Sequence, residues 1–285
     1  MRIFAAIAAL ILITPSLSAA EQLSTLGQIK QTGKIRIGYR QSEPPMSFRD
    51  NDGNPVGYSI DLCTRIATAV KAKLGMADLA VDYIPINSQN RFAALVENKI
   101  DILCGSTTKT LSRSELVDFT QLTFATGASL MSLQETPVNT LTDLQGKKVA
   151  VVRDTTTVEA LKSALKETLT DAEIVLADSA AQGFNMLREG EVAAYSSDQV
   201  VLIGLLLTSE NPKRYGVSEK VFSFEPFALA VRRNDADFRL VADRVLSQLY
   251  RSGQIVPIFR KWFARFGDNI PSAIAAAYQI NATPD

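Results

Sequence analysis

The sequence predicts an α/β protein built from two lobes, each a mostly parallel β-sheet with flanking helices. Strand-like and helix-like segments alternate in the order β-α-β-α-β between residues 33 and 106. A later segment, 144–165, repeats the opening pattern of a Gly-Lys pair, a strand, a polar loop and a helix. The length of 285 residues is enough for two domains.

The first lobe begins with residues 33–40, whose alternating apolar and polar side chains are typical of a strand. Residues 42–59 contain three prolines and two glycines, which indicates a loop with turns. From Ser59, apolar residues recur at helical spacing until Gly75 stops the helix. The segments that follow are a strand at 79–86, a short helix at 87–99 and a buried strand at 100–106.

The second lobe begins at 144–165 with a strand, a hydroxyl-rich turn and a helix. Residues 199–207 carry no charge and show no clean alternation, so they are predicted to form a buried helix. The other predicted elements are strands at 172–177, 192–198 and 227–233 and helices at 179–191 and 236–253.

Composition excludes several classes of function. Lys plus Arg and Asp plus Glu both number 30, so no bulk charge favours nucleic acid or an anionic membrane. The chain has no histidine, which excludes Ser-His-Asp and Cys-His catalysis and histidine-based zinc sites. Two cysteines cannot form a thiolate zinc site, and no nucleotide-binding or EF-hand motif is present. We therefore expect neither a metal nor a cofactor.

The N-terminal residues 1–20 read as a signal peptide. Arg2 is followed by an apolar stretch, and Pro15 precedes the small residues Ser18, Ala19 and Ala20. The apolar run is short for a transmembrane anchor, so we expect cleavage before Glu21 and export to the periplasm. Export would permit a disulfide between Cys63 and Cys104, although both could equally be buried thiols.

Polar residues follow the ends of the predicted strands. In parallel sheets ligands bind beyond the carboxyl ends of the strands, so these side chains form a candidate site. An arginine with neighbouring hydroxyls can hold a carboxylate, and a buried aspartate can hold an ammonium group. Plain helix capping and solvated surface groups are the alternatives for single residues. The candidate ligand-binding residues are Arg40, Ser88, Arg91, Ser106, Thr108, Arg113, Thr156 and Asp198.

Several stretches of the chain resemble a known family. The string "SQNRFAALVENKIDILCGSTTKTLSRSELVDFT" (88–120) resembles the periplasmic amino-acid-binding proteins of ABC transporters, specifically the glutamate/aspartate-binding branch. "STLGQIKQTGKIRIGYRQSEPPMSF" (24–48), "GYSIDLC" (57–63), "LTDLQGKKVAVVRDTTT" (141–157) and "IFRKWF" (258–263) support the wider family. The resemblance covers almost the whole chain after residue 20.

The resemblance implies the type II periplasmic binding protein fold, in which two lobes joined by two hinge strands close on the ligand. Lobe 1 would comprise residues 21–128 and 232–285, and lobe 2 residues 129–231. The crossings between lobes are expected near Ala125–Leu133 and Phe227–Arg232.

The resemblance also implies roles for the candidate residues. Arg113 would pair with the ligand α-carboxylate, and Asp198 would take the α-ammonium. Ser106, Thr108 and Thr156 would help to hold both the carboxylate and the amine. The side-chain carboxylate would meet Arg40, Ser88 and Arg91.

Two positions depart from the family pattern. Asp154 stands where a glycine usually precedes the threonines, and Ala180 stands where the acidic branch has a histidine. The second change would loosen the preference for glutamate over aspartate, or admit a neutral side chain.

The expected function is capture of L-glutamate and/or L-aspartate by a monomer that delivers it to an inner-membrane ABC permease, without catalysis. Within the same class, a binder of glutamine or of amino acids in general is the alternative. From another class, the same fold serves a periplasmic dehydratase of cyclic acids, in which Asp198 or Glu225 would act as acid or base. A sensor module is a further alternative, but no later segment reads as membrane-spanning.

Overall fold

The computed structural model describes residues 24–267 and 269–285. The predicted signal peptide, residues 1–20, lies outside the described residues. None of the helices in the described part of the chain combines the length and the apolar composition that a bilayer crossing requires.

Helices and strands alternate along most of the chain. The strands are β1 (Lys34–Tyr39), β2 (Ser42–Glu43), β3 (Ser47–Arg49), β4 (Pro55–Val56), β5 (Ala80–Pro85), β6 (Ile102–Cys104), β7 (Val117–Thr126), β8 (Ala128–Leu133), β9 (Lys148–Val152), β10 (Glu173–Ala177), β11 (Ala194–Asp198), β12 (Tyr215–Val217) and β13 (Glu225–Arg232). The helices are α1 (Thr25–Thr32), α2 (Tyr58–Lys73), α3 (Arg91–Val96), α4 (Leu111–Ser114), α5 (Thr156–Glu167), α6 (Ala180–Arg188), α7 (Gln199–Thr208), α8 (Ala236–Arg251), α9 (Ile255–Phe263) and α10 (Ser272–Ile280).

Two five-stranded sheets organise the molecule. The first has the order β5-β1-β6-β13-β7, and the second has the order β10-β9-β11-β8-β12. In each sheet three strands run parallel and two are antiparallel to their neighbours. The predicted α/β class with two sheets is therefore confirmed, and the antiparallel strands β7, β8 and β12 are additions that the sequence analysis did not predict.

The connection after β5 differs from its prediction. The helix expected at 87–99 is confined to α3, which begins at Arg91. The side chain of Asn87 accepts the backbone N–H groups of Gln89 and Asn90 at 3.0 and 2.9 Å, which holds a turn instead of a helix. This turn places Ser88 and Arg91 directly beyond the end of β5.

The chain passes between the sheets twice. It leaves the first sheet after β7, passes Gly127 and enters the second sheet at β8, within the range predicted for the first crossing. The second crossing was expected at Phe227–Arg232, but those residues lie inside β13, which pairs with β6 and β7 in the first sheet. The return therefore runs through residues 218–224, and the lobe boundary expected at 231/232 lies at the end of a strand of the first sheet.

A third, small sheet has the order β2-β3-β4 and carries Glu43, which lines the cavity described below. The peptide bond Pro44-Pro45, just after β2, is cis. The backbone N–H of Met46 donates to the carbonyl oxygen of Glu43 at 2.9 Å, which closes a turn over the two prolines.

Contacts between residues distant in sequence stabilise the packing of the first sheet and its helices. Cys63 of α2 and Cys104 of β6 form a disulfide with a Cα–Cα distance of 6.4 Å, so the first of the two alternatives left open by the sequence holds. The C-terminal helices return to the same layer. The Trp262 indole donates to the Asp61 carboxylate at 2.8 Å, and the hydroxyls of Tyr58 and Tyr278 lie 2.7 Å apart.

Candidate functional site

A small cavity lies where the carboxyl ends of the parallel strands of the two sheets face each other. This is the position expected for a ligand in sheets of this type. Seven of the eight predicted site residues line it, and Ser88 is the exception. The lining residues are Arg40, Glu43, Arg91, Ser106, Thr108, Arg113, Val152, Thr155, Thr156, Thr157, Ala180, Tyr195, Ser197 and Asp198.

Arg40 follows β1 and is buried. Its aliphatic stem crosses Gly105, where a Cβ atom would lie 2.8 Å from the Arg40 Cγ, so a side chain at position 105 would displace Arg40. Arg40 Nη2 forms an ion pair with Glu43 Oε1 at 2.6 Å. The charge of Arg40 is therefore balanced by the chain's own carboxylate.

Arg91, the first residue of α3, is also buried, but its partners are backbone carbonyls. Its guanidinium donates to the carbonyl oxygen of Ser88, and Nη2 donates to that of Asp154 at 2.7 Å. The guanidinium carbon lies 4.7 Å from the centre of the Phe92 ring. Burial, followed by the nearby charges of Arg40 and Arg113, lowers the pKa of Arg91 to about 9.

Arg113 lies on α4, whose first turn is capped by the Thr110 hydroxyl. Its Nη1 donates to the carbonyl oxygen of Thr108 at 2.8 Å, and its guanidinium carbon lies 5.4 Å from the Phe92 ring centre. Burial lowers the pKa of Arg113, and the charge of Glu225 opposes this shift. Within residues 24–267 and 269–285, neither Arg91 nor Arg113 forms an ion pair with a carboxylate.

Glu225 is buried at the start of β13 and binds three hydroxyl groups. Thr108 and Thr156 donate to Oε2 at 2.6 and 2.7 Å, and Ser223 donates to Oε1 at 2.7 Å. Thr108 belongs to the side of the first sheet and Thr156 to that of the second, and their hydroxyl oxygens lie 3.3 Å apart. Glu225 therefore holds two predicted ligand-binding hydroxyls in place from the point where the chain re-enters the first sheet.

The first turn of α5 faces the cavity. Thr155 is the N-cap residue, but its hydroxyl donates backwards to the carbonyl of Val152 at 2.7 Å and does not cap the helix. The alternative reading of these threonines as a plain helix cap is therefore not what the structure shows. A helix N-terminus attracts an anion through its free N–H groups and its dipole. Asp154, at the position of the family's glycine, takes the left-handed conformation that favours glycine, with φ of 58°.

Asp198 ends β11 and stands at the N-terminus of α7. Its carboxylate oxygen Oδ1 is buried and has no hydrogen-bond partner in the described part of the chain. Burial raises the pKa of Asp198 well above its ordinary value, the neighbouring acids Glu225 and Glu43 add to this, and Arg113 opposes it. A buried carboxylate oxygen without a donor is suited to receive a cationic group such as an ammonium.

Three further predicted positions have distinct surroundings. The buried Ser88 hydroxyl has no hydrogen-bond partner among the described residues, and the Ser88 carbonyl accepts from Arg91. The Ser106 hydroxyl donates to Glu43 Oε2 at 2.5 Å. Ala180, where the family branch has histidine, is buried and lines the cavity.

Contacts across the cavity hold the two sides close together. Besides the bonds from Arg91 to Asp154 and from Thr156 to Thr108, the backbone N–H of Ala181 donates to the Ser42 hydroxyl at 3.3 Å. Gly204 of α7 packs directly on Pro44, with no space for a side chain between them. The cavity is thus nearly closed.

The sequence analysis missed three residues of this site and named a fourth, Glu225, only for the dehydratase alternative. Glu43 and Glu225 complete its charge balance, Phe92 lies against two arginines, and Tyr195 lines one wall. The available sequence signal for Glu43 was its position three residues after Arg40, which was already a candidate.

The site combines anion-binding and cation-binding groups. Among the described residues it offers two guanidinium groups without an ion pair, a helix N-terminus, several hydroxyls and one carboxylate oxygen without a hydrogen-bond partner. The described residues contain no cluster of three or more His, Cys, Asp or Glu side chains arranged to hold a metal ion. Such a set is complementary to a small zwitterion that carries an additional negative charge.

Comparison with known proteins gives a consistent result. Residues 35–265 match the family model of the bacterial extracellular solute-binding proteins, family 3. The chain is 33% identical over 255 residues to the L-glutamate/L-aspartate-binding protein of Pseudomonas aeruginosa, covering 89% of this chain and 84% of that protein. It is 34% identical over 240 residues to the glutamate/aspartate import solute-binding protein of Salmonella typhimurium, covering 84% and 80%.

A solved structure shares the architecture. An ancestral arginine-binding protein bound to arginine superposes with a TM-score of 0.72 at 27% sequence identity, covering 81% of this chain and 98% of that one.

Proposed function

The chain belongs to the bacterial extracellular solute-binding proteins, family 3, and on this basis we propose that it captures L-glutamate and/or L-aspartate for an ABC importer. The family membership confirms the resemblance predicted from the sequence. The observation that carries the choice of ligand is that one cavity contains two guanidinium groups, those of Arg91 and Arg113, and a carboxylate oxygen of Asp198. In the part of the chain that the structure describes, the two guanidinium groups form no ion pair and the carboxylate oxygen has no hydrogen-bond partner.

An acidic amino acid has two carboxylates and one ammonium group, which match this set one to one. We assign the α-carboxylate to Arg113 and the N-terminus of α5. The hydroxyls of Ser106, Thr108 and Thr156 donate to Glu43 and Glu225, so their oxygens can accept the α-ammonium group. The α-ammonium meets Asp198. The side-chain carboxylate meets Arg91, whose neighbours are Ser88 and Arg40.

Ligand binding should accompany closure of two lobes around the cavity. Arg91 and Arg113 belong to the side of the first sheet, whereas Thr156 and Asp198 belong to that of the second. Only a closed form brings both sets to one ligand, so the ligand shifts the population toward closure. Small-angle scattering with and without ligand measures this compaction, and an unchanged radius of gyration would contradict it.

The biological setting follows from the same proposal. The mature protein would be a periplasmic monomer that presents its ligand to an inner-membrane permease.

A binding protein leaves its ligand chemically unchanged, and this separates the proposed function from the dehydratase alternative. Asp198, with its raised pKa, is the group that a dehydratase would use as an acid. Recovery of unchanged ligand after long incubation supports a binding protein, whereas conversion of a cyclic acid would support the enzyme.

Calorimetric titration of glutamate, aspartate, glutamine and asparagine tests the ligand assignment. Acidic ligands should bind about a hundredfold more tightly than the amides, because an amide leaves the Arg91 charge without an anion, at about 2–3 kcal/mol. Glutamate and aspartate should differ by less than about tenfold, because Ala180 cannot supply the contact of a histidine. Glutamine binding as tightly as glutamate would contradict the acidic assignment and leave a general amino-acid binder.

Arg91→Ala gives the matched test of the side-chain subsite. It should remove most of the difference between glutamate and glutamine while both ligands keep their α-group contacts. If Arg91→Ala weakens both ligands equally, Arg91 does not read the side chain.

A further inference from the structure

Glu43 is an acidic residue that lines the ligand cavity, and the proposed function assigns it no contact with the ligand. It is 7% exposed and occupies β2, immediately before the Pro44-Pro45 turn. Both carboxylate oxygens have partners within the cavity: Oε1 lies 2.6 Å from Arg40 Nη2, and Oε2 accepts the Ser106 hydroxyl at 2.5 Å.

The pair of Arg40 and Glu43 is protected from solvent. The two side chains are 7% and 9% exposed, so water and salt screen their attraction much less than that of a surface pair. The other two cavity arginines have different surroundings, because Arg91 and Arg113 donate to carbonyl oxygens and form no ion pair within the described residues. Of the three guanidinium groups, Arg40 is thus the one already supplied with an anion.

We infer that Glu43 is a specificity-determining residue, an internal counter-ion that prevents Arg40 from reading the ligand's charge. This inference rests on the proposed function and refines it. The ligand's side-chain carboxylate is then read by Arg91 alone, and the cavity carries one positive charge fewer than its three arginines suggest. Glu43 thereby limits how strongly the site prefers an acid to the corresponding amide.

A double-mutant cycle on Arg40 and Glu43 tests the inference, with glutamate and glutamine as ligands. Glu43→Gln keeps an acceptor for Ser106 but releases the charge of Arg40. A dicarboxylate can then balance that charge and an amide cannot, so the ratio of glutamate to glutamine affinity should rise about tenfold. Arg40→Gln leaves Glu43 as an unpaired carboxylate facing the ligand, and glutamate affinity should fall about a hundredfold.

The double variant Arg40→Gln/Glu43→Gln decides between the two roles of Arg40. If Arg40 is neutralised by Glu43, removing both charges should return glutamate affinity to within about fivefold of the wild type. If Arg40 instead binds the ligand carboxylate directly, the double variant should bind as weakly as Arg40→Gln, and the inference is then wrong.

Two controls keep the test decisive. Thermal unfolding without ligand shows which variants fold. If Arg40→Gln does not fold, the Glu43→Gln variant decides the test by itself. An unchanged ratio of glutamate to glutamine affinity in Glu43→Gln overturns the inference. The wild-type titration separates this inference from the proposed function. A wild type that binds neither acidic amino acid refutes the function, whereas a failed cycle with normal wild-type binding refutes only the role of Glu43.

Discussion

Substitution of Gly204 by alanine should weaken ligand binding while leaving the protein folded. Gly204 lies within α7, on the side of the second sheet, and faces the Pro44-Pro45 turn on the other side of the cavity. A Cβ atom at this position would lie 2.0 Å from the carbonyl oxygen of Pro44, 2.4 Å from its carbonyl carbon and 2.9 Å from Pro45 Cδ. Because two of these atoms are backbone, the clash cannot be relieved by a side-chain rotation.

The magnitude follows from opposing effects in the two states. In a closed form the two sides must separate by about 1 Å to accept the methyl group, and overpacking of this kind costs about 1–3 kcal/mol. In an open form the methyl group meets no neighbour from the other side. Alanine also favours the helix over glycine by about 1 kcal/mol, but it does so in both forms, so this gain raises the stability of the fold without changing the balance between them. The closed form thus becomes less favourable relative to the open form, and the affinity for glutamate should fall on the order of tenfold to a hundredfold.

The assay combines calorimetry with ligand-free thermal unfolding. Gly204→Ala should bind glutamate and aspartate more weakly by the same factor, since the clash acts on closure and not on ligand recognition. Its ligand-free melting temperature should equal or exceed that of the wild type. Thr208→Ala is the matched control, because Thr208 is exposed on the same helix and its hydroxyl donates to the carbonyl oxygens of Gly204 and Leu205 within that helix. Wild-type affinity in Gly204→Ala would refute the reasoning, because the contact with Pro44 would then be unrelated to the ligand-bound state.

Three further outcomes are expected. Arg113→Ala should weaken every amino-acid ligand by about 2–5 kcal/mol, since all share the α-carboxylate, and calorimetry showing a loss of only a few-fold would contradict this clamp. Affinity should rise with pH, because the pKa of Asp198 is raised in the free protein and the ligand's ammonium group requires the ionised carboxylate. Calorimetry between roughly pH 4 and 8 should therefore show proton release on binding, and Asp198→Asn should show none. Reducing the disulfide of Cys63 and Cys104, separated by 41 residues, should lower the free energy of unfolding by about 4 kcal/mol in denaturant titration, and an unchanged midpoint would contradict this.

The second crossing shows where sequence reasoning reached its limit in the fold. A strand at 227–233 was predicted correctly from its apolar run, and the structure places β13 at Glu225–Arg232. What the run could not indicate was the sheet to which the strand belongs, because a buried strand has the same composition in either sheet. The pairing of Ala230 with Leu103 of β6 and with Phe119 of β7 assigns it to the first sheet.

By itself the sequence determined the local elements and the positions of the ligand-facing arginines. Periodicity of apolar residues marks strands and helices, and polar residues just beyond strand ends converge because parallel strands end at one edge. Arg40, Arg91 and Arg113 were found in this way.

Only the tertiary structure decided which of these groups are already paired. Ser106 and Glu43 are 63 residues apart in the chain, and Thr108 and Glu225 are 117 apart, so no local pattern connects them. The approach of Gly204 to Pro44 is likewise a contact between the two sides of the cavity. Charge balance and closure depend on distances between segments remote in sequence, and those distances exist only once both sheets have folded and face each other.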